Sequence, residues 1–289
     1  MILKLGLSTY SLHRDIAAGT MDVRDIPRWI AEHGGEHMEI VPIGFSLLDK
    51  PDLIDDIRAA AEEAGIELSN YAVGGNFAVD GDAAYRRAIE ETKAHVDVAR
   101  RLGVKLMRHD VASRPPQEAT MRRFEEDLPR LVAACREIAD YAARYGIVTS
   151  VENHGYYVQA SDRVQRLVAA VDRPNFRTTL DVGNFLCADE NPLAAVKKNI
   201  GIASMVHLKD FYVRPPRARL GEGWFRTAGG YWLRGAVTGH GDLPLEDILA
   251  VIKSSGYDGY ISIEFEGMED CRAACRIALR LMREMWQSV

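Results

Sequence analysis

The chain is poor in cysteine, and none of its cysteines has a metal-binding or redox partner at close spacing. Cys135, Cys187, Cys271 and Cys275 are the only four, and no two form C-x-x-C. A structural zinc site or a thioredoxin-like centre is therefore not encoded. They read as reduced thiols, the state expected in a cytoplasmic protein. No apolar run is long enough to span a bilayer, so no membrane partner is expected. The apolar start, residues 2–9, is interrupted by Lys4 and followed by Arg14 and Asp15. It reads as a first strand rather than a secretory signal. An excess of positive charge is also lacking: 36 Lys and Arg face 42 Asp and Glu, the formal net charge is -6 and the sequence pI about 5.8. That argues against nucleic acid as the main partner, since a phosphate backbone calls for a basic face. No Gly-x-Gly-x-x-Gly follows the first strand, where a dinucleotide fold would place it.

What is present is a chain of 289 residues, 47% hydrophobic and 27% charged, enough for a large core without disulfides or metals. Short β-branched runs alternate with helical patterns along its length. Strands are expected at 2–9, 38–41, 66–73, 104–108, 147–152, 176–182, 203–209 and 260–265. Helices are expected at 23–33, 52–64, 82–102, 118–145 with a break near Pro129, 161–171 capped by Ser161, 191–199, 245–255 and 270–286. Eight strand-helix units in series predict an α/β protein, a single (β/α)8 TIM barrel over residues 1–289. Residues 211–242 show neither period and predict a long loop after strand seven.

In such a barrel the reactive groups stand at the C-terminal strand ends. Strand five ends in Glu152-Asn153-His154, strand six in Asp181, strand seven in His207 and Lys209, and strand eight in Glu264. Four neighbouring strands thus offer three carboxylates and an imidazole at one height. Three carboxylates in one mouth repel unless a cation sits among them. The oxygen-rich set suits Mn²⁺, Mg²⁺ or Co²⁺, with Zn²⁺ less favoured for want of thiolate or further imidazole.

The sequences Val-Glu-Asn-His, Leu-Asp-Val-Gly-Asn, Val-His-Leu-Lys-Asp and Ile-Glu-Phe, in this order, resemble the xylose-isomerase-like barrel superfamily. Within it they are similar to the sugar isomerase and epimerase branch, which includes ketose 3-epimerases, hydroxypyruvate isomerase and inosose dehydratase. The resemblance implies a carbohydrate substrate, a divalent ion held by Glu152, Asp181, His207 and Glu264, and proton transfer by Glu152 and Glu264. It also implies an isomerase or epimerase, with a lyase on the same scaffold as the alternative: a keto-inositol dehydratase or an enzyme eliminating a substituent from a 3-keto-glycoside. One position departs from the ketose 3-epimerase pattern: Asn184 stands where those enzymes carry a histidine. The superfamily also holds abasic-site endonucleases, but this chain has neither their additional ligands nor a basic face.

The remaining polar groups have two readings each. His154 shares the face of Glu152 and is either an additional acid or base or a partner of the metal site. Lys209 either binds an enolate or hydroxyl or pairs with a nearby carboxylate. His240 either meets substrate or faces solvent. Trp224, Tyr231, Trp232 and Arg234 give the long loop aromatic faces and a cation apt for covering a sugar, while Asn184 is a candidate substrate contact. His13 and His109 are weaker candidates. Met285 and Trp286 on the last helix can pack on a second copy, as in a homo-oligomer, or on the barrel itself.

Overall fold

The computed structural model describes residues 3–289; Ile2, in the expected first strand, lies outside them. The strands are β1 (Lys4–Ser8), β2 (His37–Ile40), β3 (Glu67–Val73), β4 (Leu106–His109), β5 (Val148–Glu152), β6 (Phe176–Asp181), β7 (Ala203–Leu208), β8 (Asp210–Arg214), β9 (Phe225–Arg226), β10 (Trp232–Ala236) and β11 (Tyr260–Ile263). Eight of them close a parallel barrel in the order β1-β11-β7-β6-β5-β4-β3-β2. The helices are α1 (His13–Ala17), α2 (Ile26–Glu32), α3 (Asp52–Ala64), α4 (Asp82–Leu102), α5 (Met121–Ala143), α6 (Ser161–Val171), α7 (Pro192–Asn199), α8 (Leu245–Ser254) and α9 (Cys271–Ser288). Helices α1 to α8 lie between successive barrel strands, as parallel pairing requires, and α9 follows the last. Helices α3 and α4 span the residues their periodicity predicts.

Three local expectations are corrected. Helix α5 runs through Pro129 without a break. Leu128, Leu131, Val132 and Cys135 are buried on both sides of the proline, and this packing outweighs one missing N–H. Ser161 is the first helical residue of α6 rather than its cap, and its N–H donates to Glu190, 2.8 Å away. The stretch after β7 is not an irregular loop. It folds as a three-stranded antiparallel sheet in the order β8-β10-β9, with Phe211 and Leu233 buried beneath it. Its strands are short and interleaved with glycine and arginine, so no period shows in the sequence.

All four cysteines are buried and unpaired. No helix among the described residues is long and apolar enough to cross a membrane. Trp286 is buried and Met285 half-buried against the barrel, so both pack on their own chain.

The barrel interior carries polar side chains at both its floor and its mouth. His37 lies at the floor, fully buried, its ring nitrogens 2.9 Å from Ser69 Oγ and 3.0 Å from the Ile261 carbonyl. Gly6 leaves room for it, since a Cβ there would lie 2.1 Å from the His37 carbonyl oxygen. Outside the barrel, His109 is fully buried against Phe77 and Phe176. Burial lowers both histidine pKa values to about 4. A folded value below the unfolded one of about 6.5 favours the neutral ring. The stabilisation is therefore fully present above about pH 6.5 and is lost as pH falls towards 4. Urea unfolding of chelator-treated protein should show a loss of roughly 2–3 kcal/mol per histidine across that window. A His37→Gln variant should flatten the dependence; an unchanged slope would contradict the assignment.

Candidate metal centre

The pleat decides which side chains reach the mouth. Residues two apart share a face, so Glu152 of β5 and Asp181 of β6 point inward from their strand ends. Asp181 pairs in register with His207 of β7, and His207 with Ser262 of β11. Glu264 follows β11, its N–H donating to the Leu208 carbonyl at 3.1 Å. Glu152, Asp181, His207 and Glu264 each present one ligand atom, and these four atoms lie within 4.8 Å of one another. All four residues are buried.

The orientation of the imidazole comes from a residue the sequence reading missed. His207 Nε2 donates to Glu39 on β2 at 2.9 Å, and Asn70 of β3 donates to the same carboxylate at 2.7 Å. The other ring nitrogen, Nδ1, is left facing Glu152 and Glu264, each at 3.7 Å. His207 Nδ1 is buried without a hydrogen-bond partner, and Asp181 Oδ2 has only the Lys209 ammonium, 3.3 Å away. Orphaned buried polar atoms are costly, and a cation would satisfy both. Three carboxylates and one imidazole suit a hard or borderline divalent ion.

The electrostatics agree. Burial, reinforced by Glu152 and Glu264 and opposed by Lys209, lifts the Asp181 pKa to about 7. Burial depresses the His207 imidazole, but Glu39, Glu264 and Glu152 more than reverse that and hold its pKa well above the ordinary value. The cluster holds more negative charge than its side chains neutralise.

Two cations limit that excess. Arg108 of β4 forms a two-pronged pair with Glu152 Oε2, its Nε at 2.6 Å, and donates to the Val73 carbonyl at 2.9 Å. Lys209 lies 2.8 Å from Glu264, 3.3 Å from Asp181 and 3.3 Å from Glu266. Its chain neighbour Asp210 turns the other way and accepts N–H bonds from Gly239, Gly241 and Leu243. Asn184 is buried and donates to Glu152 Oε1 at 3.0 Å. Asn153 bonds Asp181 through both its amide atoms, tying β5 to β6.

His154 stands at the rim with a side chain 49% exposed, its Nδ1 3.4 Å from Asp110. A tight turn carries it: Gly155 and Tyr156 both have positive φ, and His154 bridges to Val158. For Tyr156, with φ of 65°, this is a strained conformation. The Tyr156 hydroxyl donates to the Arg226 carbonyl at 2.7 Å and fastens the turn to β9.

A cavity of about 480 Å³ opens over these groups, and its lining includes Tyr10, Arg108, Asp110, Glu152, His154, Lys209, Glu264 and Glu266. Asn184, Trp232, Arg234 and His240 do not line it. Trp232 stacks under Arg226 at 3.5 Å, Arg234 lies over Tyr212 and Trp224, and His240 is exposed. His13 accompanies Tyr10 and bonds its carbonyl at 2.7 Å. On strand four the alternation sends Arg108 and Asp110 to the mouth and His109 outward. An arginine flanked this way at a strand end was the available signal.

A sequence model of the family described as xylose isomerase-like TIM barrel matches residues 27–285. An inosose dehydratase of Bacillus licheniformis is 28% identical over 159 residues, 54% of this chain and 52% of that protein. The alignment thus spans about half the length of that relative. An inosose isomerase of Halalkalibacterium halodurans is 23% identical over 207 residues, 70% of this chain and 68% of that one. The crystal structure of a probable 3-DHS dehydratase, AsbF, from Bacillus anthracis superposes with a TM-score of 0.75 at 15% identity, covering 98% of this chain and 99% of that one.

Replacing Glu39 by Gln removes the charge behind His207 while keeping its shape. Titration calorimetry with Mn²⁺ should show affinity weakened about 10–100-fold, the usual effect of losing a ligand's outer partner. Unchanged affinity would mean that Glu39 does not orient a ligand.

Proposed function

Because the chain belongs to the xylose isomerase-like TIM barrel family, and its mouth sets a free imidazole beside a metal-ligand set, we propose that it is a metal-dependent lyase acting on a keto-sugar or keto-polyol. Glu152, Asp181, His207 and Glu264 would hold the ion, with Mn²⁺ the first expectation and Mg²⁺, Co²⁺ or Zn²⁺ the others. A divalent ion there supplies a Lewis acid that acidifies the C–H next to a carbonyl.

The observation that carries the lyase reading is the state of Glu152. Oε2 is bound by Arg108 and Oε1 accepts from Asn184; against the upward push of burial, Arg108 holds the carboxyl well below the usual carboxylate range, so Glu152 keeps a lone pair for an ion but is a weak base. Epimerisation needs a proton removed on one face of a carbon and returned on the other. With Glu152 fastened, the base falls to His154, which Asp110 orients and which is open to the cavity. His154 takes the proton, the C–H electron pair becomes a C=C bond, and the β C–O bond breaks. The departing oxygen receives its proton from the Lys209 ammonium, which stands 2.8 Å from Glu264. Arg108 and Lys209 offset the negative charge that develops between them.

Isomerase or epimerase chemistry is the second reading, supported by the inosose isomerase relative. It requires Glu264 to act as a base opposite His154. Incubating keto-inositols and keto-sugars with the Mn²⁺-loaded protein in D₂O distinguishes the two. Elimination predicts a conjugated enone chromophore. Deuterium accumulating in a rearranged or epimeric ketose without the chromophore would overturn the lyase reading. His154→Gln should lower kcat by about 10²–10⁴-fold, the worth of a positioned acid or base, with metal content unchanged. Full turnover in that variant would remove His154 from the proton path.

A further inference from the structure

We infer that Lys209 is the exchangeable counter-ion of the metal centre: its ammonium and the ion compete for Asp181, and ion binding turns Lys209 toward Glu266 and the cavity. The inference rests on the metal-ligand reading of Glu152, Asp181, His207 and Glu264, and adds the fate of the cation that already stands among them.

The two resident cations are held differently. Arg108 forms a two-pronged pair with Glu152 and donates to the Val73 carbonyl at 2.9 Å. A planar fork engaged on two sides cannot turn without losing both, so Arg108 is locked. Lys209 is not. Its three N–H donors face four oxygens: Glu264 Oε2 at 2.8 Å, Asp181 Oδ2 and Glu266 Oε2 at 3.3 Å each, and Asn184 Oδ1 at 3.4 Å. An ammonium is a compact charge on a flexible stem, and it shifts among such acceptors by small rotations of that stem.

Asp181 sets the conflict. Its Oδ1 accepts from the N–H groups of Gly183 and Asn184 at 2.8 and 2.9 Å, which uses both lone pairs. Only Oδ2 is left for a cation, and Lys209 already faces it. Glu264 Oε2, the oxygen nearest Lys209, also lies 3.7 Å from His207 Nδ1, the ring nitrogen that Glu39 leaves free. A ligand set built on Asp181 Oδ2 and His207 Nδ1 therefore converges on oxygens that the ammonium holds. Two positive charges on one buried oxygen repel, and little water screens them.

The relief is built in. When Asp181 Oδ2 is given up, Glu266 and Asn184 remain as acceptors. The Glu266 side chain is 21% exposed, against 0% for Asp181, and it lines the cavity together with Lys209. The turn thus carries the ammonium outward and frees an N–H for a bound ligand. Lys209 becomes a donor to the cavity in the loaded protein, which ties its role to the presence of the ion.

Calorimetry with Mn²⁺ on the wild-type protein and on Lys209→Met, its fold checked by melting temperature, measures the competition. Methionine keeps much of the stem and removes the charge. Losing a supporting partner weakens metal binding, usually by about 10–100-fold. Losing a competitor strengthens it, and the variant should bind Mn²⁺ at least about tenfold more tightly. Crystals of the wild-type protein with and without Mn²⁺ supply a second readout that needs no variant. In the loaded crystal Lys209 Nζ should lie beyond the ion-pair limit of about 4 Å from Asp181 Oδ2 and within hydrogen-bond distance of Glu266. Mn²⁺ affinity that is unchanged or weaker in the variant, or a loaded crystal with Lys209 still on Asp181, overturns the exchange and leaves the metal centre standing. Absence of Mn²⁺ binding to both proteins removes the metal centre, and the exchange with it.

Discussion

Glu39, Glu152, Asp181 and Glu264 are carboxylates held together at the barrel mouth with almost no access to water. Like charges at this range in a low-dielectric interior must be neutralised, protonated or paired. The neighbouring side chains each answer one of them. Arg108 and Asn184 hold Glu152, His207 holds Glu39, and Lys209 reaches across to Asp181 and Glu264. The cations do not balance the set, which is why burial and repulsion lift Asp181 to about 7. A divalent ion would complete the balance and would also use His207 Nδ1, which has no hydrogen-bond partner, and Asp181 Oδ2, which has only Lys209 3.3 Å away.

The same constraint separates ligands from bases. A carboxylate paired with an arginine is oriented and weakly basic, yet keeps lone pairs that an ion can use. His154 is an imidazole at the rim, and it sits on a strained turn pinned to β9 through Tyr156. Strain at such a turn is retained where the surrounding structure enforces it. Here the Tyr156 hydroxyl bond and the Gln159 side chain, which donates to the Asn184 carbonyl at 2.7 Å, enforce it. The position of the proposed base, His154, is thereby tied to the antiparallel sheet that follows β7.

Much of this was readable from residue order alone. The eight strand-helix units gave the barrel, and strand parity placed Glu152, Asp181, His207 and Glu264 on inward faces. Glu39 was not readable, because a glutamate amid His37-Met38-Glu39-Ile40 has no signal until β2 is closed against β7 across the barrel. Arg108 was passed over for its neighbour His109, although parity alone sends the two to opposite faces. The sheet after β7 escaped because three short strands in a glycine- and arginine-rich stretch show no period. Its Gly239-His240-Gly241 segment serves the carboxylate of Asp210 through backbone N–H groups, which leaves His240 outside the cavity. Contacts between distant segments, rather than local pattern, decide these cases.

The central claim is that a divalent ion binds among these carboxylates through the nitrogen of His207 that Glu39 leaves free. A crystal of Mn²⁺-soaked protein, with anomalous data collected at the manganese edge, tests it directly. The account predicts one strong peak touching Glu152, Asp181, Glu264 and Nδ1 of His207, with Nε2 still on Glu39. A peak elsewhere, or one bound through Nε2, would contradict it.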